Sequence, residues 1–345
     1  MLKILYAGSP APAATTLRLL LDRQAQDGWQ ITGVLTNPPS AKGRHKELVP
    51  TDVGLLAQER GIPVFCPQKL DAVARDQIAA QGFDALVCFA YGKIFGPKFL
   101  SLFKAGGVNV HPSLLPKYRG ATPVPAAILN CDGQTGVTVQ TLALGMDEGE
   151  ILAQEVIALD GTETTDSLLD KSAQIAAALL QSLLDKAAQN PGAEILKKGK
   201  AQEGEPSYTK TISKEDALIN WNDSAKNIAA AVRAYTSEPG SWTRIGGDGC
   251  ETLKILKAAP LDTDCSQDGQ TAGANQNGLQ AQEAAPSGQP TVPGTVTAFD
   301  KKRGILVQCG DGVLCVTELQ RQQKKAMGYK DFMNGARDFV GTRLG

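Results

Sequence analysis

The chain has 345 residues, with 35 Lys plus Arg against 36 Asp plus Glu and a formal net charge of −1. That balance excludes a uniformly basic nucleic-acid coat and an acidic tail, while leaving room for a local basic patch. With 42% hydrophobic residues it can bury a full core, its length suggests roughly two domains of about 150 residues, and no apolar run reaches the ~20 residues that span a bilayer. In chain order, Met1–Gly8 is too short and too strand-like for a signal peptide, so the expected setting is soluble and cytoplasmic. Leu2–Ala7 reads as a buried strand, and Thr15–Asp22, with four leucines, as a helix turning onto it. Trp29–Leu35 is a second strand. Asp52 reads as the N-cap of a helix over Val53–Arg60 that Gly61 stops. Ile62–Phe65 and Ala85–Phe89 are strands around a helix over Leu70–Ala80, and Val108–His111 continues the series. This βαβα order predicts an α/β fold, a Rossmann-like, mostly parallel sheet with helices on both faces.

Gly136–Leu144 and Ile151–Leu159 read as strands around a loop, followed by a long helix over Thr165–Ala187. Residues 1–194 are thus expected to form a catalytic domain, and 195–214 a basic linker. After Trp221 a helix capped by Asp223 or Ser224 precedes short strands at 241–245, 253–256, 294–298, 304–308 and 313–319. That pattern predicts a smaller OB-like β-barrel domain over 215–345. Residues 262–290 interrupt it with Gln, Gly, Ala, Ser, Asn and Asp, a composition unable to form a core, and read as a surface insertion.

Seven scattered cysteines form no CxxC pair, so neither a zinc ribbon nor a thioredoxin-type site is supported. Cys88 and Cys315 lie in apolar runs and read as reduced core thiols. With only His45 and His111 present, a His-rich metal site is excluded and no metal is expected. The first strand-to-helix turn, Gly8-Ser9-Pro10-Ala11-Pro12, lacks the glycines that let a dinucleotide pyrophosphate reach the backbone, which argues against NAD.

The densest unusual segment is Gly107-Val108-Asn109-Val110-His111-Pro112-Ser113-Leu114-Leu115-Pro116-Lys117-Tyr118-Arg119-Gly120. Residues i and i+2 of a strand share a face about 7 Å apart, so Asn109 and His111 project together from a strand end, where open α/β sheets bind ligands. The bland alternative is a hydrogen-bonded Asn beside a satisfied His. Asp147, Glu148 and Glu150 form an acidic loop between Gly145 and Gly149, readable as a hairpin tip or as the imidazole's partner. An amide donor, an imidazole and a carboxylate suit acyl transfer to an amine without a covalent enzyme intermediate.

Asn109-Val110-His111-Pro112-Ser113-Leu114-Leu115-Pro116-Lys117-Tyr118-Arg119-Gly120, followed by Pro123 and Asp147, resembles the 10-formyltetrahydrofolate-dependent formyltransferase superfamily. Ala7-Gly8-Ser9-Pro10, Phe89-Ala90-Tyr91-Gly92, Gly136-Val137-Thr138 and Lys324-Lys325-Ala326-Met327 extend the match to the branch acting on methionylated tRNA, over 1 to about 260 and again from about 293. The resemblance implies a formyl group passed from the folate to the amine of methionyl-initiator tRNA, with no metal. Asn109 would stabilise the oxyanion, His111 would polarise the formyl group and handle protons, and Asp147 would position His111 and relay a proton. Folate would lie along Leu86, Phe89, Ala90, Tyr91, Gly92, Ser113, Leu114, Leu115, Pro116 and Gly120, with Asp147. Transfer RNA would meet Lys42, Arg44, Lys46, Lys117, Arg119, Lys210, Lys324 and Lys325. In isolation such basic runs are usually solvated loops. The opening Pro38-Pro39-Ser40-Ala41 departs from the branch's commoner acidic-basic-proline start. Rivals sharing the core are glycinamide ribonucleotide transformylases, sugar-nucleotide formyltransferases and formyltetrahydrofolate hydrolases; a catalytically silent RNA-binding module is a different class. No membrane partner is implied, and the expected state is a monomer.

Overall fold

The computed structural model describes residues 1–24, 28–42, 47–190, 192–236, 238–246, 251–261 and 291–345. The chain divides into two units, Met1–Ala127 with Asp132–Thr211, and Ile128–Cys131 with Ile212–Gly345. Arg44, Lys46, His45 and the insertion at 262–290 lie outside the described residues, as does the Lys42 side chain.

In the first unit the apolar runs become strands because they can be covered on both faces. Leu2–Gly8, Trp29–Leu35, Val64–Phe65, Ala85–Phe89 and Gly106–His111 pair in parallel. Gln134–Thr141 and Ile151–Ala158 add an antiparallel edge beside Gly106–His111, completing seven strands. Leu5 and Ala7 point into a cluster with Ile78, Phe83, Phe95, Phe99 and Phe103. Tyr6 takes the opposite face, where its hydroxyl donates to the Ala13 carbonyl of the helix Ala11–Leu21 at 2.7 Å. The long helix Thr165–Gln189 docks on that helix through Thr16 Oγ1 to the Ala173 carbonyl at 3.0 Å, and a Thr164–Ser167 capping box starts it.

Local details refine the sequence reading. Thr51, not Asp52, caps the helix Asp52–Glu59, its hydroxyl accepting from Gly54 N at 3.0 Å. Threonine places its oxygen there while Asp52 sits in the first turn, where negative charge is also favourable. Asp71 caps Ala72–Ala79 and Ser224 caps Ala225–Ala234. The stretch expected as a linker runs along the first unit through residue 211. Leu196 bridges Gly106, Lys200 bridges Ile151, and Tyr208–Thr209 pairs with Arg119–Gly120.

The second unit holds an antiparallel OB-like half-barrel, ordered Trp242–Ile245, Glu251–Pro260, Val313–Arg321, Gly304–Gln308 and Val296–Asp300. Register shifts at Ile255–Lys257 and Lys257–Ala258 mark irregularities of the kind that bend a strand. Its core gathers Trp221, Ile228, Leu253, Ile255, Val307, Leu314 and Val316. Cys88, Cys309 and Cys315 are buried free thiols; burial pushes Cys88 up to about 12 and Cys309 up to about 11, which keeps both inert. Among the described residues no helix is long and apolar enough to cross a membrane.

Candidate active site

The strand Gly106–His111 is the last parallel strand, and its other edge meets the antiparallel Gln134–Thr141. Asn109 stands opposite Gln140, and His111 opposite Thr138. Alternation sends Val108 and Val110 into the core while Asn109 and His111 share the other face. The loop after Thr141 returns Asp147 to that face. Asp147 Oδ1 lies 3.4 Å from Asn109 Nδ2, and Oδ2 lies 3.5 Å from His111 Nδ1. The three groups singled out in the sequence, 38 residues apart at the extremes, therefore meet.

The rest of the exit loop holds the imidazole. His111 Nε2 is 2.8 Å from the Tyr118 carbonyl oxygen. A carbonyl only accepts, so Nε2 carries the hydrogen and the neutral ring leaves its Nδ1 lone pair facing Asp147. The Ser113 hydroxyl donates to Lys117 O at 2.6 Å, and Thr138 Oγ1 donates to Ser113 O at 2.6 Å. These bonds brace the turn that presents the Tyr118 carbonyl. His111 is 4% exposed. Burial lowers its pKa from the usual 6.5 and outweighs the opposing pull of Asp147 and the Tyr118 carbonyl. A neutral imidazole at pH 7 follows, able to accept a proton at Nδ1 beside a waiting carboxylate.

Asp147 itself sits at φ 54°, in the left-handed region that non-glycine residues rarely adopt. Its carboxylate accepts from Gly120 N at 2.8 Å and from Gln140 Nε2 at 2.9 Å. Its backbone carbonyl accepts from Gln202 Nε2 at 2.8 Å. Gln140 and Gln202 carried no signal in the sequence: neither is charged, and each contributes through a side-chain amide whose partner lies elsewhere in the chain.

The other expected site residues fall into two groups. Leu86, Phe89, Tyr91, Ser113 and Leu115 are buried as whole residues, none more than 4% exposed, so they support the site from within and present almost no surface to a ligand. Tyr91 stacks on Phe95 at 5.4 Å, inside the core. By contrast Ala90 and Gly92 are exposed, with φ of 52° and 79°. Leu114 packs over Gly136, Pro116 follows in a cis bond, and Gly120 (φ 109°) lies against the Thr209 carbonyl. Lys117, Lys210, Lys324 and Lys325 are exposed. The Arg119 side chain is only 12% exposed; Nε and Nη2 donate to Gln202 Oε1 at 3.1 and 2.7 Å, and Nη1 reaches Tyr208 OH and Glu148. Its guanidinium is occupied within the fold.

A formyl-bearing pterin needs backbone donors and acceptors, a rigid cleft at the strand ends and one amide donor at the reacting oxygen. Ala90 and Gly92 supply exposed backbone on either side of buried Tyr91, whose carbonyl accepts from Asn37 Nδ2 at 2.7 Å and ties the turn down. Asn109 Nδ2 is held only at 3.4 Å and is available to a stronger acceptor. These residues fit the group.

Residues 3–184 match the family described as formyl transferase, and 211–337 match its C-terminal domain. The chain belongs to the formyl transferase family. It is 40% identical over 98% of both chains to the methionyl-tRNA formyltransferase of Treponema denticola. It is 38% identical over the full length of both to the one from Treponema pallidum. The solved methionyl-tRNA formyltransferase from Clostridium thermocellum, at 14% identity, superposes with a TM-score of 0.53 over 75% of this chain and 93% of that one, which shows a shared fold.

Proposed function

We propose that this formyl transferase moves the formyl group of 10-formyltetrahydrofolate to the α-amino group of methionine on initiator tRNA. The observation that carries the chemistry is the convergence of Asn109, His111 and Asp147, each contact within 3.5 Å. Relatives near 40% identity over essentially the whole chain supply the acceptor. The amine attacks the formyl carbon, the carbonyl oxygen gains charge, and the bond from that carbon to the folate N10 breaks as N10 takes a proton. Asn109 Nδ2 donates to the growing oxyanion. His111 Nδ1 accepts the proton released by the attacking amine, and Asp147 stabilises the resulting imidazolium and passes a proton onward through water. The Nε2 bond to Tyr118 keeps Nδ1 turned to the cleft throughout.

Folate lies along exposed Ala90 and Gly92 and the loop leading to Asp147. Transfer RNA is gripped by exposed Lys117, Lys210, Lys324 and Lys325, with Lys42, Arg44 and Lys46 expected from the sequence to add charge. The protein acts as a monomer in the cytoplasm. Offering 10-formyltetrahydrofolate with methionylated initiator tRNA, glycinamide ribonucleotide and an amino-sugar nucleotide in parallel tests the reading. Formyl-methionyl-tRNA is the expected product; formylation of another acceptor, or release of free formate alone, overturns it.

A further inference from the structure

We propose that Gln202 is a positioning residue for formyl transfer, holding Asp147 in line with His111 and Gly120. The observation is a closed hydrogen-bond circuit. The Gln202 carboxamide donates both hydrogens of Nε2, to the carbonyls of Asp147 and Gly149, each at 2.8 Å. Its Oε1 accepts Arg119 Nε and Nη2 at 3.1 and 2.7 Å. The residue after Arg119, Gly120, then returns its N–H to Asp147 Oδ2 at 2.8 Å.

The circuit answers a mechanical need. Asp147 lies in a loop outside any strand or helix, at a φ of 54°. Such a backbone persists only where its surroundings fix it. Two glutamines, whose amides lie 3.5 Å apart, fix this one. Gln140, from the sheet, takes the Asp147 carboxylate and accepts from Gly149 N at 3.1 Å. Gln202, from the strap that follows the long helix, takes the two carbonyls. Only a neutral carboxamide can donate twice and accept twice at that point, since a carboxylate has no hydrogen to give and an ammonium no lone pair. Arg119 gives the amide a rigid anchor, because Tyr208 OH holds its third nitrogen at 3.0 Å.

Gln202 touches none of the reacting atoms. It acts through Asp147, so its loss should slow chemistry more than binding. The charged groups around the imidazole are Asp147, with the Arg119–Glu148 pair beyond it; the neighbouring Cys88 thiol is neutral. Release of Asp147 removes the one carboxylate that raises the His111 pKa, and so lowers it further.

The test uses the full-length chain with Gln202→Met, which removes donors and acceptor, and Gln202→Glu, which keeps the Arg119 anchor but loses both donors. This inference rests on the formyl-transfer reading. Both variants are expected to lower kcat roughly 10- to 100-fold, with KM for 10-formyltetrahydrofolate within about threefold. The chain has two histidines, so NMR in a His45→Gln background follows His111 alone. Its titration midpoint is expected to move down in Gln202→Met, where no new charge is introduced. A kcat within about twofold of the parent in Gln202→Glu, or an unmoved His111 titration in Gln202→Met, overturns the proposal. A parent chain that does not formylate methionylated tRNA overturns the activity instead, while the His111 titration still decides the role of Gln202.

Discussion

Gly149 is the point at which the loop that carries Asp147 is most sharply constrained. It is buried, and a Cβ built on it falls well inside the van der Waals envelope of the Thr141 carbonyl oxygen, 2.8 Å from that carbonyl's carbon and 3.0 Å from Thr141 Oγ1. These are atoms of a sheet strand and cannot step aside. In Gly149→Ala the loop must therefore retreat by about 1 Å, the scale at which a catalytic group loses on the order of 10²-fold in rate. The retreat strains three bonds together: Gly149 N to Gln140 Oε1, Gln202 Nε2 to Gly149 O, and Glu150 N to Thr141 Oγ1 at 2.9 Å. Asp147 is two residues away and follows. A hundredfold fall in kcat corresponds to about 2.7 kcal/mol of lost transition-state stabilisation. Steady-state formylation of methionylated tRNA, with each substrate varied in turn, measures it. A Gly149→Ala enzyme with kcat within about threefold of the parent refutes the claim that this loop sets the rate.

Other outcomes follow from the same geometry. Asn109→Ala should lower kcat by roughly 10²–10³, as expected for losing an oxyanion donor, in single-turnover assays. His111→Ala should lose most activity and still bind folate, as ligand titration would show. Because burial holds the His111 pKa below its unfolded value, the unfolded chain binds the extra proton in that window, and stability falls as pH drops through about 6.5. The Tm lost between about pH 7.5 and 5.5 should accordingly be smaller in His111→Asn than in the parent. Replacing exposed Lys324 and Lys325 together by Ala should raise KM for tRNA and flatten its salt dependence while KM for folate stays put.

Much of the candidate site is legible in the sequence because strand geometry is local. The alternation Val108-Asn109-Val110-His111 places the amide and imidazole on one face with no tertiary information, and Gly145 and Gly149 mark a loop able to take unusual backbone angles. The βα alternation likewise dictates a parallel sheet. The gaps lie in long-range polar contacts. The lysines of 195–214 suggest a connector, yet Leu196, Lys200 and Tyr208 pair with the sheet unit and carry Gln202 to the Asp147 loop. Charge counting cannot see a neutral amide, and no periodicity links residues 55 apart. Arg119 misleads for a related reason. A basic residue beside a cleft suggests a phosphate contact, but its guanidinium fork is already taken by Gln202 and Tyr208.

A structure with a stable formyl-bearing folate analogue bound probes the shared focus of Asn109, His111 and Asp147 most directly. The formyl oxygen should lie about 2.7–3.2 Å from Asn109 Nδ2, with the open face of the formyl carbon turned to His111 Nδ1. A formyl group seated beyond reach of both side chains, or a folate bound away from residues 90–92, would contradict it.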